Sequence, residues 1–258
     1  MAYVSATLLG GFANRVFIIH AALHYAQQTN KKFVLIDKLI QEVQHESKSV
    51  ILINLEKLFG KFDYYKSSDY TSWKIINDNK QSAFIYAEIP KHEGKSVIFE
   101  GYFQNPQYIP KLPKLKTELI RKPNTYFLHI RLGDYLTIPL YNIPLKKYYS
   151  EAIMQLMEND NNANFLVFSN DNVNAKTFIE TNIKVPFSYT FSETLSGYDT
   201  LLEMASCAGG ICTNSTLSWM GAYYQKPPRN LVFMPSPWLT KGYADIYPEW
   251  ATIIDLSS

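Results

Sequence analysis

Residues Phe127 to Leu136 read FLHIRLGDYL. An apolar run of the kind that forms a strand covered on both faces ends abruptly in His129, Arg131 and Asp134. A guanidinium leaving a strand offers a planar fork of donors, the shape best matched to phosphate. The same residues also allow a plainer arrangement, an Arg131–Asp134 ion pair that closes the turn. A second stretch, CTNSTLSWMGAY from Cys212 to Tyr223, repeats the logic without the charge. A strand gives way to Asn214, Ser215 and Thr216, and a helix starts near Thr216. Unpaired N–H groups at a helix start bind anions, and two hydroxyls add donors. Asn214 or Ser215 serves equally well as an ordinary N-cap. A third strand-to-helix turn, GGFAN, places Gly10 and Gly11 just ahead of Asn14. Glycines there let backbone approach a ligand closely. The turn is not the G-x-G-x-x-G fingerprint, so a dinucleotide site has weak support. Three such turns, one of them with an arginine, suit a nucleotide diphosphate held between two β/α halves.

These turns need strands and helices to place them. YVSATLL (3–9) reads as a strand and KFVLID (32–37) as another. Between them RVFIIHAALHYAQQT puts Val16, Ile19, Leu23 and Ala26 on one helical face. From 38 to 100 the expected elements are a short helix at 54–59 and strands at 62–66, 74–77 and 84–89. SVIFEGYFQNPQYI reads as a strand, a loop and a helix. PKLPKLKTELIRKPN (110–124), rich in Pro and Lys, is the expected boundary between domains at 1–115 and 123–258. The second half is more regular. Strand-like TYFLHI, NFLVFS, FSYTF, GGICT and NLVFMP alternate with helix-like LKKYYSEAIMQLME, VNAKTFIETN, YDTLLEMASCA and TLSWMGAYYQ. That β-α alternation predicts a parallel sheet with helices on both faces.

Composition narrows the classes. With 47% hydrophobic and 19% charged residues among 258, the chain is globular, neither disordered nor fibrous. A net charge of +2 argues against a nucleic-acid partner, so an anionic ligand must be held by a local site. Cys207 and Cys212 read as reduced core thiols, with no second Cys/His pair to suggest zinc and no disulfide framework. No apolar run reaches the roughly 18 residues of a membrane helix, and the start has no basic n-region. The expectation is a soluble, cytoplasmic protein without an integral membrane segment.

Five motifs in order resemble the α-1,2-fucosyltransferases, the inverting enzymes of glycosyltransferase family 11. GGFANRVF (10–17) is similar to the family's G-x-x-N-Q-x-F, with Arg15 in place of Gln. GYFQ stands at 101–104, and HIRLGDY (129–135) resembles H-x-R-R-x-D-Y. FSND (168–171) resembles F-S-D-D, and TNSTLSWMGAY (213–223) resembles SNSTFSWWGAW. MPSPWL and DIYPEW sit where the family carries a proline-tryptophan tail.

The resemblance implies an α/β fold of GT-B type, two Rossmann-type domains with a nucleotide-sugar cleft between them. The first would be the acceptor side and the second would bind the GDP-sugar. It implies GDP-β-L-fucose as donor, a galactose-like glycan acceptor, an α-1,2 product, and no metal or other cofactor. Carried over to this chain, it gives Arg131 the β-phosphate and the leaving GDP, and places His129 beside the nucleotide. Asp199 would receive the guanine N1 and N2 hydrogens. Ser215 and Thr216 would contact the pyrophosphate, with Asn214 and Ser169 in the same site. Asn14 and the Gly10–Gly11 turn would approach from the other domain.

Two positions depart from the pattern. Leu132 replaces the second Arg, which puts sugar identity in question. Arg15 replaces Gln and would supply a cation from the other domain. The base that activates the acceptor is open between Asp134, which can instead orient Arg131, and Glu100 or Asp37. Two other functions fit the same residues: transfer of another nucleotide-linked deoxyhexose or formation of another linkage, and non-catalytic binding of GDP or carbohydrate.

Overall fold

Three successive buried residues make Tyr3–Ala6 (β1) an inner strand. It pairs in parallel with Lys32–Phe33 (β2) on one side and Val97–Glu100 (β4) on the other, and Lys74–Asn77 (β3) adds beyond β4. In this computed structural model all residues are described except 44–45, 79–82, 112–114, 117, 195, 228, 230, 257–258 and the side chain of Asp134. The chain divides into two units, Met1–Glu118 and Leu119–Ser258.

In the first unit the strand order is β2-β1-β4-β3. Helix α1 (Phe12–Gln28) joins β1 to β2, and α2 (Lys48–Phe59) follows. Helix α1 is buried well beyond the single face expected from Val16, Ile19, Leu23 and Ala26, with Phe12, Phe17, Ile18 and Tyr25 also inside. It lies on the sheet through Tyr25 against Phe99 and is covered elsewhere by Phe59, which meets His20 edge-on at 5.0 Å between centroids.

Three expectations for 38–100 change. The helix expected at 54–59 starts six residues earlier, at Lys48. The strand expected at 62–66 reduces to a bridge between Leu35 and Tyr64. Residues 84–89 form no strand, because side chains take their backbone groups: Asn105 Nδ2 donates to Phe84 O, and Ala87 N–H donates to Tyr108 Oη.

The second unit carries β5 (Lys122–Ile130), α3 (Asp134–Thr137), α4 (Lys146–Asn159), β6 (Asn164–Ser169) and α5 (Asn172–Asn182). β7 (Tyr189–Phe191), α6 (Gly197–Ser206), β8 (Cys207–Ile211), α7 (Thr216–Tyr223) and β9 (Val232–Ser236) follow. A strand missed in the sequence, β10 (Thr252–Asp255), pairs in parallel with β9. The order is β10-β9-β8-β5-β6-β7, and each strand pairs in parallel with its neighbours. The chain runs outward from β5 to β7, then returns to β8 on the other side of β5. Open α/β sheets bind ligands at such a reversal, beyond the strands' carboxyl ends.

Alternation along β5 sends Tyr126, Leu128 and Ile130 into a core with Tyr149, Ile153 and Leu156 of α4. Helix α4 also ties the strand ends together. Tyr149 Oη donates to the carbonyl of His129 at 2.9 Å, and Tyr148 Oη lies 2.6 Å from the carbonyl of Cys212 and 2.9 Å from that of Phe233. The carboxyl ends of β5 and β8 and the first residues of β9 are thereby held by two neighbouring tyrosines. Cys207 and Cys212 are free and buried.

Candidate functional site

Adjacent strands β5 and β8 end at the reversal, and each delivers one of the motifs singled out above. From β5 come His129 and Arg131. His129 is 3% exposed, and its Nδ1 makes no hydrogen bond among the described residues. Burial, reinforced by the charge of Arg131, pushes its imidazole down to about 3, so it is neutral at physiological pH. Arg131 is half-buried, with its guanidinium 5.2 Å from the centroid of the Tyr135 ring. Asp134 opens α3, and its side chain lies outside the described residues.

From β8 come Thr213, Asn214 and Ser215, all buried. Ser215 is the N-cap of α7, its Oγ accepting from Leu217 N–H at 3.4 Å. Thr216 begins the helix, which follows the carboxyl end of β8. Asn214 is used by the fold. Its Nδ2 donates to the carbonyls of Tyr141 at 2.9 Å and Trp238 at 3.2 Å. Arg131, Tyr135, Tyr141, Asn142 and Asn214 line a pocket of about 170 Å³ at this point.

On the other side of β5, Ile130 is level with Ser169 at the end of β6. Ser169 Oγ accepts from Asp171 N–H at 3.1 Å, a local turn. The next residue, Asn170, reaches back to Leu132, accepting from its N–H at 3.0 Å and donating to its carbonyl at 3.2 Å. Gly133 follows in the left-handed region, φ +62°, where a Cβ would meet Asn170 Nδ2 at 2.7 Å. Leu132 itself is 7% exposed and belongs to the core of β5 and α4.

Asp199 stands in the first turn of α6, which follows the carboxyl end of β7. Its N–H donates to Oγ of Ser196, the N-cap of α6, at 3.0 Å, and the Ser196 hydroxyl donates to its carboxylate. It is exposed.

In the first unit, Gly10 has φ +73°, and a Cβ there would meet Asn14 Nδ2 at 2.7 Å and the Tyr102 ring at 3.1 Å. Gly11 is the extended N-cap of α1. Asn14 Oδ1 accepts from Gln104 Nε2 at 2.8 Å. The GG turn after β1 and the GYFQ turn after β4 therefore form one cluster at the carboxyl edge of this sheet. Asp78, just past β3, supports it by accepting from Tyr102 N–H at 2.7 Å.

Arg15 corrects an expectation. Its side chain is 0% exposed, with Nη1 3.0 Å from Glu46 Oε2 and Nη2 3.0 Å from the carbonyl of Gln41. It is a core ion pair within its own unit and not a cation offered to a ligand. Burial lowers its pKa, and Glu46 opposes that.

Sequence reasoning passed over Asn170, Tyr135, Tyr141, Gln104 and Asp78. Asn170 and Gln104 lie inside the motifs FSND and GYFQ, which could have marked them. Asp78 and Tyr141 have no local signal. Among the described residues no group of three or more His, Cys, Asp or Glu side chains gathers as a metal site, and no helix is long and apolar enough to cross a membrane.

The profile of glycosyl transferase family 11 matches residues 107–250, more than half of the chain. The chain belongs to glycosyl transferase family 11. Two Escherichia coli relatives agree. An alpha-1,2-colitosyltransferase is 27% identical over 166 residues, 57% of each chain. The O-antigen biosynthesis glycosyltransferase WbnK is 30% identical over 129 residues, 48% of this chain and 42% of its own. The chain spans about half the length of these curated relatives. Among solved structures, POFUT1 in complex with GDP-fucose superposes with a TM-score of 0.52 at 12% identity, covering 90% of this chain and 97% of that one. POFUT1 in complex with GDP gives 0.53 at 11% over the same shares. At such identity the likeness is one of fold: an α/β protein of GT-B type with two Rossmann-like units.

Proposed function

We propose that this family 11 chain is an inverting glycosyltransferase that moves L-fucose from GDP-β-L-fucose to a hydroxyl of a galactose-like glycan, forming an α-1,2 link. The observation that carries the reading is the reversal between β5 and β8, where β5 delivers Arg131 and the buried imidazole of His129 and the adjacent β8 leads through Asn214, which lines one pocket with Arg131, into the start of α7. As the glycosidic bond breaks, the sugar becomes oxocarbenium-like and negative charge grows on the leaving GDP. In many enzymes, preorganised donors aimed at such developing charge supply most of the rate enhancement. Arg131 and the N–H groups at the start of α7, with Ser215 and Thr216, would supply them without a metal. His129, neutral, would donate one hydrogen bond to the diphosphate. Asp199 would exchange its cap hydroxyl for the guanine edge.

Inversion needs one base within hydrogen-bond reach of the acceptor hydroxyl. Of the carboxylates considered, Asp37 is tied to Lys48 Nζ at 2.6 Å. Glu100 ends β4 beside the Gly10–Asn14 cluster and is exposed, so it and Asp134 are the two to substitute. The first unit would present the acceptor.

A second donor is favoured by Leu132. Buried in the core, it offers no second cation, and one family relative is a colitosyltransferase. Transfer of such a deoxyhexose uses the same site. The test is calorimetric titration with GDP, GDP-fucose, UDP and UDP-sugars in EDTA, followed by acceptor assays. GDP binding without metal and transfer from GDP-fucose support the reading. Preference for UDP, or binding only with metal, overturns it.

A further inference from the structure

Asn214 matches the most polar position of its motif, yet both N–H donors of its carboxamide point at protein carbonyls, Tyr141 at 2.9 Å and Trp238 at 3.2 Å. Its Oδ1 accepts from Thr213 Oγ1 at 3.2 Å. That leaves one of its donors committed to the segment that follows Arg131. Tyr141 in that segment stacks on Tyr135, with centroids 5.0 Å apart and planes 25° from parallel. The Tyr135 ring in turn lies beneath the Arg131 guanidinium at 5.2 Å. The segment is pinned once more by Thr240, whose N–H donates to Leu140 O at 3.0 Å and whose hydroxyl donates to Pro139 O at 2.8 Å.

A guanidinium is attracted to an aromatic face, and a ring packed against a second ring cannot tilt away freely. We propose that Tyr135 and Asn214 are positioning residues for Arg131. Tyr135 sets the plane of the guanidinium, and Asn214, from the end of β8, holds the Tyr141 backbone whose ring backs it. The two strand ends at the reversal are thus coupled through a stack of two tyrosines, and a shift at β8 re-aims the arginine of β5. Asn214 then has no need to touch the diphosphate. The inference rests on the reading above of Arg131 as the partner of the leaving diphosphate.

The test uses GDP affinity by calorimetry and kcat with GDP-fucose, in wild type and in Tyr135→Leu, Tyr135→Phe, Asn214→Asp, Arg131→Ala and the Tyr135→Leu/Arg131→Ala double variant. Tyr135 is half-buried, so its variants are not expected to unfold, whereas buried Asn214→Asp is checked by its melting temperature. Tyr135→Leu is expected to lose about tenfold in kcat, the scale of one partly desolvated cation–π contact. Tyr135→Phe keeps the ring and is expected to recover most of the loss seen in Tyr135→Leu. In the Arg131→Ala background, Tyr135→Leu costs nothing further, because the residue acts only through the arginine. Wild-type kinetics in Tyr135→Leu, or the same tenfold loss without Arg131, overturns the inference alone. If Arg131→Ala itself leaves GDP binding and transfer intact, the functional reading falls, and the inference with it.

Discussion

Asn170 grips Leu132 with both halves of its carboxamide, Oδ1 to the N–H at 3.0 Å and Nδ2 to the carbonyl at 3.2 Å. A side chain from the end of β6 thus replaces the strand partner that β5 loses where it ends, and the backbone next to Arg131 is fixed. Asn170→Ala leaves the partly buried Leu132 N–H without its acceptor and the carbonyl with only the longer bond from Tyr135 N–H at 3.4 Å, at a cost of about 1–3 kcal/mol. The expected result is a melting temperature lower by several degrees together with weaker GDP binding. Unchanged GDP affinity would separate the clamp from the site.

Arg131→Ala removes the one guanidinium at the β5–β8 reversal among the described residues that line the pocket. A loss of at least about a hundredfold in kcat is expected, the scale of one preorganised donor. The fold should be unaffected, because the side chain is only half-buried. A rate near wild type rejects the assignment.

Leu132→Arg restores the residue of the family pattern, and the structure predicts harm. The side chain is 7% exposed and packed with Leu128, Ile130 and α4. An unpaired guanidinium there costs about 3 kcal/mol or more. Denaturant unfolding should show the loss. A variant as stable as wild type would mean that the position opens to solvent and can serve the donor.

Arg15→Gln breaks the ion pair with Glu46 inside the first unit. The expected effect is a stability loss of about 3 kcal/mol with GDP affinity unchanged. Weaker GDP binding in a variant of normal stability would return Arg15 to the ligand.

Two buried histidines set the acid response. Burial, with the His24 charge adding to it, pushes His20 down to about 3, and burial with Arg131 does the same for His129. In the unfolded chain each takes a proton near its ordinary 6.5, while the folded chain refuses it until about 3. The unfolded state therefore binds more protons across that window, and stability falls as pH drops through it. From pH 7 to pH 5 each histidine costs about 2 kcal/mol. Urea midpoints at the two pH values should differ accordingly, and His20→Leu should flatten the difference in the first unit. A pH-independent midpoint would show that the imidazoles reach solvent.

The alternation of strands and helices in the second half, the three strand-to-helix turns and the family itself were readable from residues alone. Hydrophobic period and turn chemistry are properties of neighbours in the chain, so β5, α4, α5, α6 and α7 announce themselves. The polar middle of the first unit was not readable. There backbone groups at 84–87 are satisfied by Asn105 and Tyr108, and no local pattern records that choice.

The site divides in the same way. His129, Arg131 and the Ser215–Thr216 helix start stand out because their types and order carry chemistry wherever they fold. What they do to one another was decided by tertiary structure. The Asn170–Leu132 clamp spans 38 residues and the Asn214–Tyr141 bond spans 73. Only the strand order that sets β8 and β6 on either side of β5 brings those groups within hydrogen-bond reach. Burial was decided there too: Arg15 and Leu132 look like a spare cation and a lost one in the sequence, and packing makes the first an internal ion pair and the second a core residue.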